Sequence, residues 1–387
     1  MEIMACQYQF LQEALHGYEK TGISLIAYDG KVFKPAGLGD DVGIYDFLPK
    51  LAHGMGISID QSINLFLGGM FTVSFCLGII GLFLLLKKWN VRILALANLM
   101  FLAFVSFMAG GIYIALSSAT IAVVPLFLYF VKRGKPDRMF MLFNLITGIG
   151  LGLAHHVRIH SGTGVIIFMV IVLLYLQIHL KRKAILLMLI VIGVSIPAIY
   201  FDRLLEQRDA YLKKTYSTFE RPPRQHVFWH SVYIGFGFLG NEYGIRYKDE
   251  VAIKKVRSVS PKAAYLSEEY EMILKKEVYK LIKAHPLFTA TTIFAKLGVI
   301  CLYLFAFANV GLIAVAFHVK SWGLEVAFWS AMMFNSLFGI LVVPDYRYLM
   351  GFLAFAALYG IMSLNQTVEQ GGFRRMRALL KRSGEES

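Results

Sequence analysis

Long apolar segments alternate with short polar turns along most of this chain. Runs of about 18 apolar residues or more are long enough, as helices, to cross a hydrocarbon core about 30 Å thick. Segments in lipid must satisfy their own backbone hydrogen bonds, and the period-2 alternation of a membrane barrel is absent, so helices are predicted. The sequence therefore predicts an all-α, polytopic transmembrane helical bundle of about nine spans, at residues 62–86, 93–110, 112–131, 139–155, 162–180, 184–201, 290–317, 323–343 and 346–364.

A long polar segment separates the sixth and seventh predicted spans. Within it, Pro261 to Ala284 places apolar residues at i, i+3 and i+4, which is typical of an amphipathic helix. The apolar side of this helix comprises Tyr265, Leu266, Tyr270, Ile273, Leu274, Val278 and Leu281. The chain is therefore predicted to consist of an N-terminal loop (1–61), six spans (62–201), a loop domain (202–289), three spans (290–364) and a basic tail (365–387).

Basic residues gather at one end of the predicted spans, against only Arg158 and Arg347 in the short loops at the other end. Short cytoplasmic loops are enriched in Lys and Arg, so the basic end is predicted to be cytoplasmic and the loop domain extracytoplasmic, in a prokaryotic inner membrane. Nothing precedes residues 1–61 to translocate them, so we expect a further helix ahead of Met1, a miscounted span being the alternative. The basic end carries Lys87, Lys88, Arg92, Lys132, Arg133, Lys135, Arg138, Lys181, Arg182, Lys183, Lys320, Arg374, Arg375, Arg377, Lys381 and Arg382.

The amino-acid composition also indicates a membrane protein and not a soluble one. The chain is 57% hydrophobic and only 17% charged, whereas a soluble domain carries about 25% charged residues. The net charge of +14 could indicate nucleic acid, but the basic residues adjoin apolar runs as membrane orientation requires, so no nucleic-acid partner is predicted. Cys76 and Cys301 lie inside apolar runs and leave Cys6 alone, which indicates neither a disulfide framework nor a metal site.

Ionisable residues cluster on the predicted outer side, and such residues at membrane depth usually mark a site. Asp40 and Asp41, in Gly39-Asp40-Asp41-Val42-Gly43, could serve as a general base or hold a cation, or simply cap the following helix.

The segment His155-His156-Val157-Arg158-Ile159-His160 resembles a metal cluster. Its histidine pairs are not expected to point together, and no Cys or nearby carboxylate completes a ligand set. A cationic cradle for phosphate fits better, with interfacial snorkelling as the alternative.

Three further clusters lie on the same predicted side. Trp229, His230 and Tyr233 stand among glycines, a pattern that suits stacking on sugar rings and membrane-interface anchoring equally well. Lys296 lies inside the span that His285-Pro286 opens, where it could snorkel or meet an anionic headgroup. Arg347 and Tyr348 follow Pro344-Asp345-Tyr346, and pairing of Arg347 with Asp345 is the structural alternative to a binding role.

In their order and spacing, these elements resemble the GT-C-type membrane glycosyltransferases, the class that includes protein O-mannosyltransferases and lipid A aminoarabinose transferases. The resemblance covers most of residues 8–364, and no single motif carries it. It depends on acidic residues ahead of Gly43-Ile44-Tyr45-x-Phe47-Leu48-Pro49, on Gly152-Leu153-Ala154-x-x-x-Arg158, on His285-Pro286-x-Phe288 followed by Lys296, and on Pro344-x-x-Arg347-Tyr348.

The resemblance implies transfer of a sugar from a polyprenyl-phosphate donor to a lipid, glycan or protein acceptor on the extracytoplasmic face, within membrane lipid and without a cofactor. The sequence gives no support for a divalent metal. In this class the catalytic Asp usually closes the first transmembrane helix, so Asp40 and Asp41 are either the catalytic pair or a second acidic position. From the chemistry of the clusters, we expect the donor phosphate to bind His155, His156, Arg158, Lys296, Arg347 and Tyr348, and the sugar or acceptor to bind Trp229, His230 and Tyr233.

Two other functions fit a polytopic protein. A lipid or polysaccharide transporter or flippase usually shows internal repeats and polar residues at the midplane. This chain has no repeat, and its charges gather at one interface. A scaffold protein would use the predicted helix over 261–284 as its docking surface.

Overall fold

Helices form nearly all of the regular structure in the part of the chain that the computed structural model describes, residues 5–37, 39, 41–134, 137–221 and 228–371. The exception is an antiparallel hairpin of β1 (Ile26–Tyr28) and β2 (Phe33–Pro35). The predicted all-α class is confirmed. The helices are α1 (Ala5–Thr21), α2 (Ile44–Met55), α3 (Ile59–Leu85), α4 (Trp89–Ala109), α5 (Ile114–Lys132), α6 (Arg138–Val157), α7 (Thr163–Tyr175), α8 (Leu180–Thr215), α9 (Phe228–Gly235), α10 (Asp249–Val259), α11 (Glu268–Ala284), α12 (Pro286–Ala308), α13 (Val310–Ala314), α14 (Trp322–Leu341) and α15 (Met350–Glu369).

Eight helical segments within the described ranges are long and apolar enough to cross a membrane: α3, α4, Gly111–Lys132 with α5 inside it, α6, α8, α12, α14 and α15. The protein is therefore an integral membrane protein. The fifth predicted span corresponds to α7, which has 13 residues. At 1.5 Å per residue it is about 20 Å long and falls short of a hydrocarbon core of about 30 Å.

Contacts between residues far apart in the sequence show which helix ends lie together at each end of the bundle. At the loop end, the Gly43 amide donates to the His156 carbonyl over 2.7 Å, and the Tyr346 hydroxyl donates to the Met108 carbonyl over 3.5 Å. The segments that lead into and out of α9–α11 leave from this end. At the tail end, Lys132 pairs with Glu369 over 2.9 Å, where α5 and α15 finish.

Helix α15 lies at the centre of the bundle, and 89% of its spanning window is buried. It packs against α4, α5, α12, α13 and α14. Small residues make this packing close, because a Cβ on Gly360 would lie 2.3 Å from the Ala308 carbonyl oxygen. Small residues of this kind allow helix backbones to approach each other in membranes.

The N-terminal segment folds onto the loop end of α8 as a small unit. Leu11 of α1 and Leu48 of α2 share an apolar core with Phe201 of α8. The buried guanidinium of Arg208 donates from Nη1 to the Ala36 carbonyl over 2.9 Å, which fixes the hairpin to α8. The segment predicted as a loop over 1–61 therefore contains regular structure in its described part.

Two helices end elsewhere than their apolar patterns predict. Helix α8 continues to Thr215, beyond the predicted end at 201, because the Arg, Glu, Gln and Leu residues that follow are good helix formers. The seventh predicted span, 290–317, is interrupted at Asn309. This residue has φ of 37°, and its side chain accepts a hydrogen bond from the Val310 amide. An apolar run therefore located the span but not the break within it.

Helices α9, α10 and α11 pack together in the loop domain. The predicted amphipathic helix over 261–284 begins at Glu268, because the Ser267 side chain caps it and three glutamates follow in its first turn. Tyr270, Leu274 and Val278 are buried against α9 and α10. The apolar face that a scaffold function would use for docking is thus largely occupied within the chain.

Charge asymmetry yields a topology prediction. In a background where the native cysteines are replaced by serine, a membrane-impermeant maleimide should label Lys276→Cys, on exposed α11, in intact cells. It should label Lys181→Cys, at the exposed tail end, only after permeabilisation. Labelling of Lys181→Cys in intact cells, with Lys276→Cys protected, would reverse the orientation.

Candidate functional site

Two arginines from different turns meet around tyrosines at the loop end. Arg158 is the C-terminal cap of α6, and its guanidinium carbon lies 5.2 Å from the centre of the Tyr113 ring. The Tyr113 ring in turn lies edge-on to Tyr348, at 5.1 Å between centres. Both Arg158 and Arg347 lie within electrostatic range of Tyr113. We call Tyr113, Arg158, Tyr247, Arg347 and Tyr348 the arginine–tyrosine cluster.

Tyr247 reaches this cluster from the loop domain. Its hydroxyl lies within hydrogen-bonding reach of Tyr348. Gly237 brings it there, since a Cβ at Gly237 would lie 2.3 Å from the Arg246 carbonyl carbon. Burial raises the pKa of both Tyr247 and Tyr348, so their hydroxyls remain neutral hydrogen-bond donors at neutral pH.

Arg347 is held by its neighbour Asp345, the pairing that the sequence offered as the structural alternative. Nε and Nη2 donate to the two carboxylate oxygens at 3.0 and 2.8 Å. These hydrogen bonds raise the pKa of Arg347 above its ordinary value. Burial opposes ionisation of Asp345, but the hydrogen bonds from Arg347 outweigh it and keep the Asp345 pKa below its usual value. Arg347 makes no other side-chain hydrogen bond with described residues, so its Nη1 remains available to a ligand.

Arg158 is less completely partnered than Arg347. It is half-buried, and among the described residues its guanidinium contacts the Tyr113 ring but forms no hydrogen bond or ion pair. A guanidinium presents a planar fork of donors that matches phosphate oxygens. A half-buried fork without a protein acceptor is therefore suited to an anion that enters from outside the chain.

Lys296 lies below the turn that carries Arg347. It is 3% exposed, and its Nζ donates to the Leu341 carbonyl over 3.4 Å, at the end of α14. One turn earlier, the Thr292 hydroxyl is buried without a hydrogen-bond partner within the described ranges. Lys296 therefore contacts the backbone at the end of α14 rather than extending towards the lipid surface.

The N-terminal turn contacts the histidine segment of α6. A Cβ at Gly43 would lie 2.8 Å from the His156 carbonyl oxygen, which shows how closely the two segments approach. Asp41 is 8% exposed and accepts a hydrogen bond from the Gln7 amide over 2.5 Å. Asp40 lies outside the described residues. The structure thus brings Asp41 to the segment that carries Arg158.

The three histidines lie closer together than their spacing suggested. His160 adopts φ of 66°, which reverses the chain so that its backbone amide donates to Nδ1 of His155 over 3.3 Å. The rings of His155 and His160 are 5.9 Å apart, and those of His155 and His156 are 5.8 Å apart. His156 also packs on Phe201 of α8 at 4.1 Å.

The predicted sugar-binding residues lie mainly inside the loop domain. His230 is 2% exposed, and its ring nitrogens contact the Tyr270 hydroxyl at 2.8 Å and Asp249 at 3.1 Å. Tyr233 is also buried, in the apolar core of α9–α11. Trp229 is partly exposed and packs against Tyr279 at 5.6 Å. Of the three predicted residues, Trp229 is the most accessible to a ligand.

The sequence did not predict that four further residues would lie at or near the candidate site: Tyr113, Tyr247, Thr292 and Asp46. Asp46 is 1% exposed, pairs with Lys50 over 2.6 Å and accepts a hydrogen bond from Tyr200 over 2.9 Å. A carboxylate inside the apolar stretch Ile44 to Leu51 was the signal that could have identified it. Because both of its oxygens have partners, Asp46 acts mainly as a clamp between α2 and α8.

Comparison with family models, with curated proteins and with solved structures found no match to this chain.

The contact at Gly43 yields a prediction about this site. Gly43→Val places side-chain atoms against the His156 carbonyl and should lower the thermal midpoint in detergent, since overpacking costs about 1–3 kcal/mol. Gly39→Ala is the matched control, because a Cβ there makes only an ordinary contact at 3.5 Å with Asp41. Equal midpoints for both variants would show that the turn and α6 are not in close contact.

Proposed function

We propose that the protein is a membrane glycosyltransferase that moves a sugar from a polyprenyl-phosphate-linked donor to an acceptor on the extracytoplasmic face. The observation that carries this proposal is the convergence of Arg158 and Arg347, from two separate interhelical turns, on Tyr113 and Tyr348. A lipid phosphate that leaves as the glycosidic bond breaks gains negative charge, and fixed cations stabilise that charge.

The surroundings of the arginines suit such a leaving group. The guanidinium of Arg158 has no protein acceptor among the described residues. The hydrogen bonds to Asp345 fix the orientation of the Arg347 guanidinium, whose Nη1 is available to a ligand. Preorganised donors stabilise charge without reorganising at the moment of reaction. Lys296, beneath the same turn, adds a third cation. The hydrocarbon chain of the donor would lie along the apolar surface of the spanning helices.

The acceptor hydroxyl requires a base, and Asp41 is the carboxylate that best fits this role among the described residues. It lies in the turn that contacts α6 at His156, two residues before Arg158. Asp46 is less suited because its carboxylate is already held by Lys50 and Tyr200. Asp40 remains the other member of the predicted catalytic pair.

A transporter or flippase remains the second candidate, and the break in α12 at Asn309 favours it. Interrupted helices often form the binding sites of transporters. The charged cluster, however, lies at one end of the bundle, whereas alternating access places a binding site near the midplane. Movement of polyprenyl phosphate across vesicle membranes, without release from a sugar donor, would support transport over transfer.

The arginines provide the direct test of the proposal. Arg158→Ala and Arg347→Ala should each lower the release of polyprenyl phosphate from polyprenyl-phosphate mannose or aminoarabinose by about 10²-fold or more. Lysine at either position should recover little, because a point charge does not replace the planar fork. Arg257→Ala, on exposed α10, is the control. Unchanged release in both alanine variants, with normal expression, would place the phosphate site elsewhere.

Asp41 is tested in the same assay. Asp41→Asn should bind polyprenyl phosphate normally but release it from the sugar donor about 10²–10⁴-fold more slowly, because only the base is lost. Asp60→Asn is the matched control, since Asp60 accepts a hydrogen bond from Tyr8 much as Asp41 does from Gln7. Asp40→Asn is measured alongside. Full single-turnover rates in both Asp40→Asn and Asp41→Asn would show that neither residue is the base.

A further inference from the structure

A cavity lies at the tail end, at the opposite end of the bundle from the arginine–tyrosine cluster. It has a volume of about 460 Å³ and is formed where α3, α5, α7, α14 and α15 begin or end. Binding pockets for small molecules commonly have volumes in this range. We call it the tail-end cleft. It is separate from every residue that the proposed function uses.

The cleft contains a buried polar group that lacks a partner. Asn365 lines the cleft and is 1% exposed. Its Oδ1 has no hydrogen-bond partner, and its side chain makes no hydrogen bond with any residue in the described ranges. Buried amides are almost always paired, because an unpaired one forfeits its hydrogen bonds to water. Because Asn365 also lines the cleft, its Oδ1 offers an acceptor to a ligand that carries a hydrogen-bond donor.

The mouth of the cleft carries both signs of charge. Lys132 and Glu369 line it and pair over 2.9 Å, with side chains 42% and 33% exposed. An exposed pair of this kind contributes little to stability, so its two charges can turn to a ligand at small cost. Together they complement a group that carries a phosphate and an ammonium side by side.

The remaining lining suits a lipid. Leu128 and Met362 contribute apolar wall, while Tyr175 and Trp322 line the cleft with highly exposed rings. Trp and Tyr are enriched at the level of lipid headgroups. The cleft therefore has an apolar interior and a charged, aromatic mouth at the end of the spanning helices.

We propose that the tail-end cleft binds a phospholipid of the phosphatidylethanolamine class. Its phosphate contacts Lys132, and its primary ammonium donates to Glu369 and to Oδ1 of Asn365, while an acyl chain lies along Leu128 and Met362. Phosphatidylcholine has no N–H to donate to Asn365, and phosphatidylglycerol has no cation for Glu369. The chemistry of the cleft thus distinguishes three common phospholipids.

Native mass spectrometry of the full chain in detergent tests this assignment, with phosphatidylethanolamine, phosphatidylcholine and phosphatidylglycerol offered in equal amounts. Phosphatidylethanolamine should be retained several-fold more than the other two. Asn365→Leu and Glu369→Gln should each reduce its retention to the phosphatidylcholine level. Lys88→Gln, a basic residue at the same end that does not line the cleft, should change nothing.

Glu369 is exposed, so Glu369→Gln keeps the test decisive even if Asn365→Leu fails to fold. Equal retention of the three lipids, or full retention of phosphatidylethanolamine by Glu369→Gln, would overturn the proposal. Retention that appears only after residues 372–387 are deleted would also overturn it and would assign the cleft to the chain's own tail.

Discussion

Pairing of buried polar groups is the constraint on which this structure depends. Its spanning helices lie in lipid, where an unpaired charge has no water to solvate it. The bundle meets this requirement with short, local pairs. Asp46 is held by Lys50 and Tyr200, Arg208 by Asp209 and the hairpin backbone, and Glu325 by the Tyr359 hydroxyl at 2.8 Å. Each of these groups of contacts also joins two elements, through Tyr200 of α8, the Ala36 carbonyl or Tyr359 of α15, so the same contacts hold the elements in place.

Against this background, the polar groups without partners become informative. Arg158 and Thr292 lie at the loop end, and Asn365 lies at the tail end. Other buried polar atoms among the described residues, such as Oδ1 of Asn98 and Oδ1 of Asn144, also lack a hydrogen-bond partner, so a missing partner alone does not mark a site. Arg158 lies near a second cation, and Asn365 lines a cleft with a charged mouth. These surroundings, together with the missing partners, support a ligand at each of the two positions.

Apolar periodicity was sufficient to predict the all-α polytopic class and the position of most spans, because the length of an apolar run is set by the thickness of the membrane. It could not predict that α8 would continue through charged residues, since helix propensity and not hydropathy decides that extension. Nor could it predict the break at Asn309, which depends on one left-handed residue and its own side-chain hydrogen bond.

The structure groups some of the predicted site residues and separates others. Arg158, Lys296 and Arg347 were predicted from their charge at membrane depth, where cations are costly, and the structure brings Arg158 and Arg347 together at Tyr113. Tyr113 and Tyr247 were missed because tyrosines are common at membrane interfaces, and only the packing of distant turns shows that these two adjoin the arginines. The pattern around His230 and Tyr233 suited sugar stacking and membrane-interface anchoring equally, and the structure buries both side chains among α9–α11. A sequence pattern that suits sugar stacking suits an aromatic core equally well.

Helix α15 connects the two proposed sites, which raises the question of whether they influence each other. The turn with Arg347 and Tyr348 precedes its first residue, and Asn365 and Glu369 lie in its last turns. Five helices pack against α15, and the approach of Gly360 to the Ala308 carbonyl is close enough to exclude even a Cβ. Packed interiors resist continuous deformation, so close contacts of this kind favour a rigid α15. A lipid in the tail-end cleft should therefore stabilise the bundle without altering the geometry of the arginines, so that substitutions at the two ends combine additively.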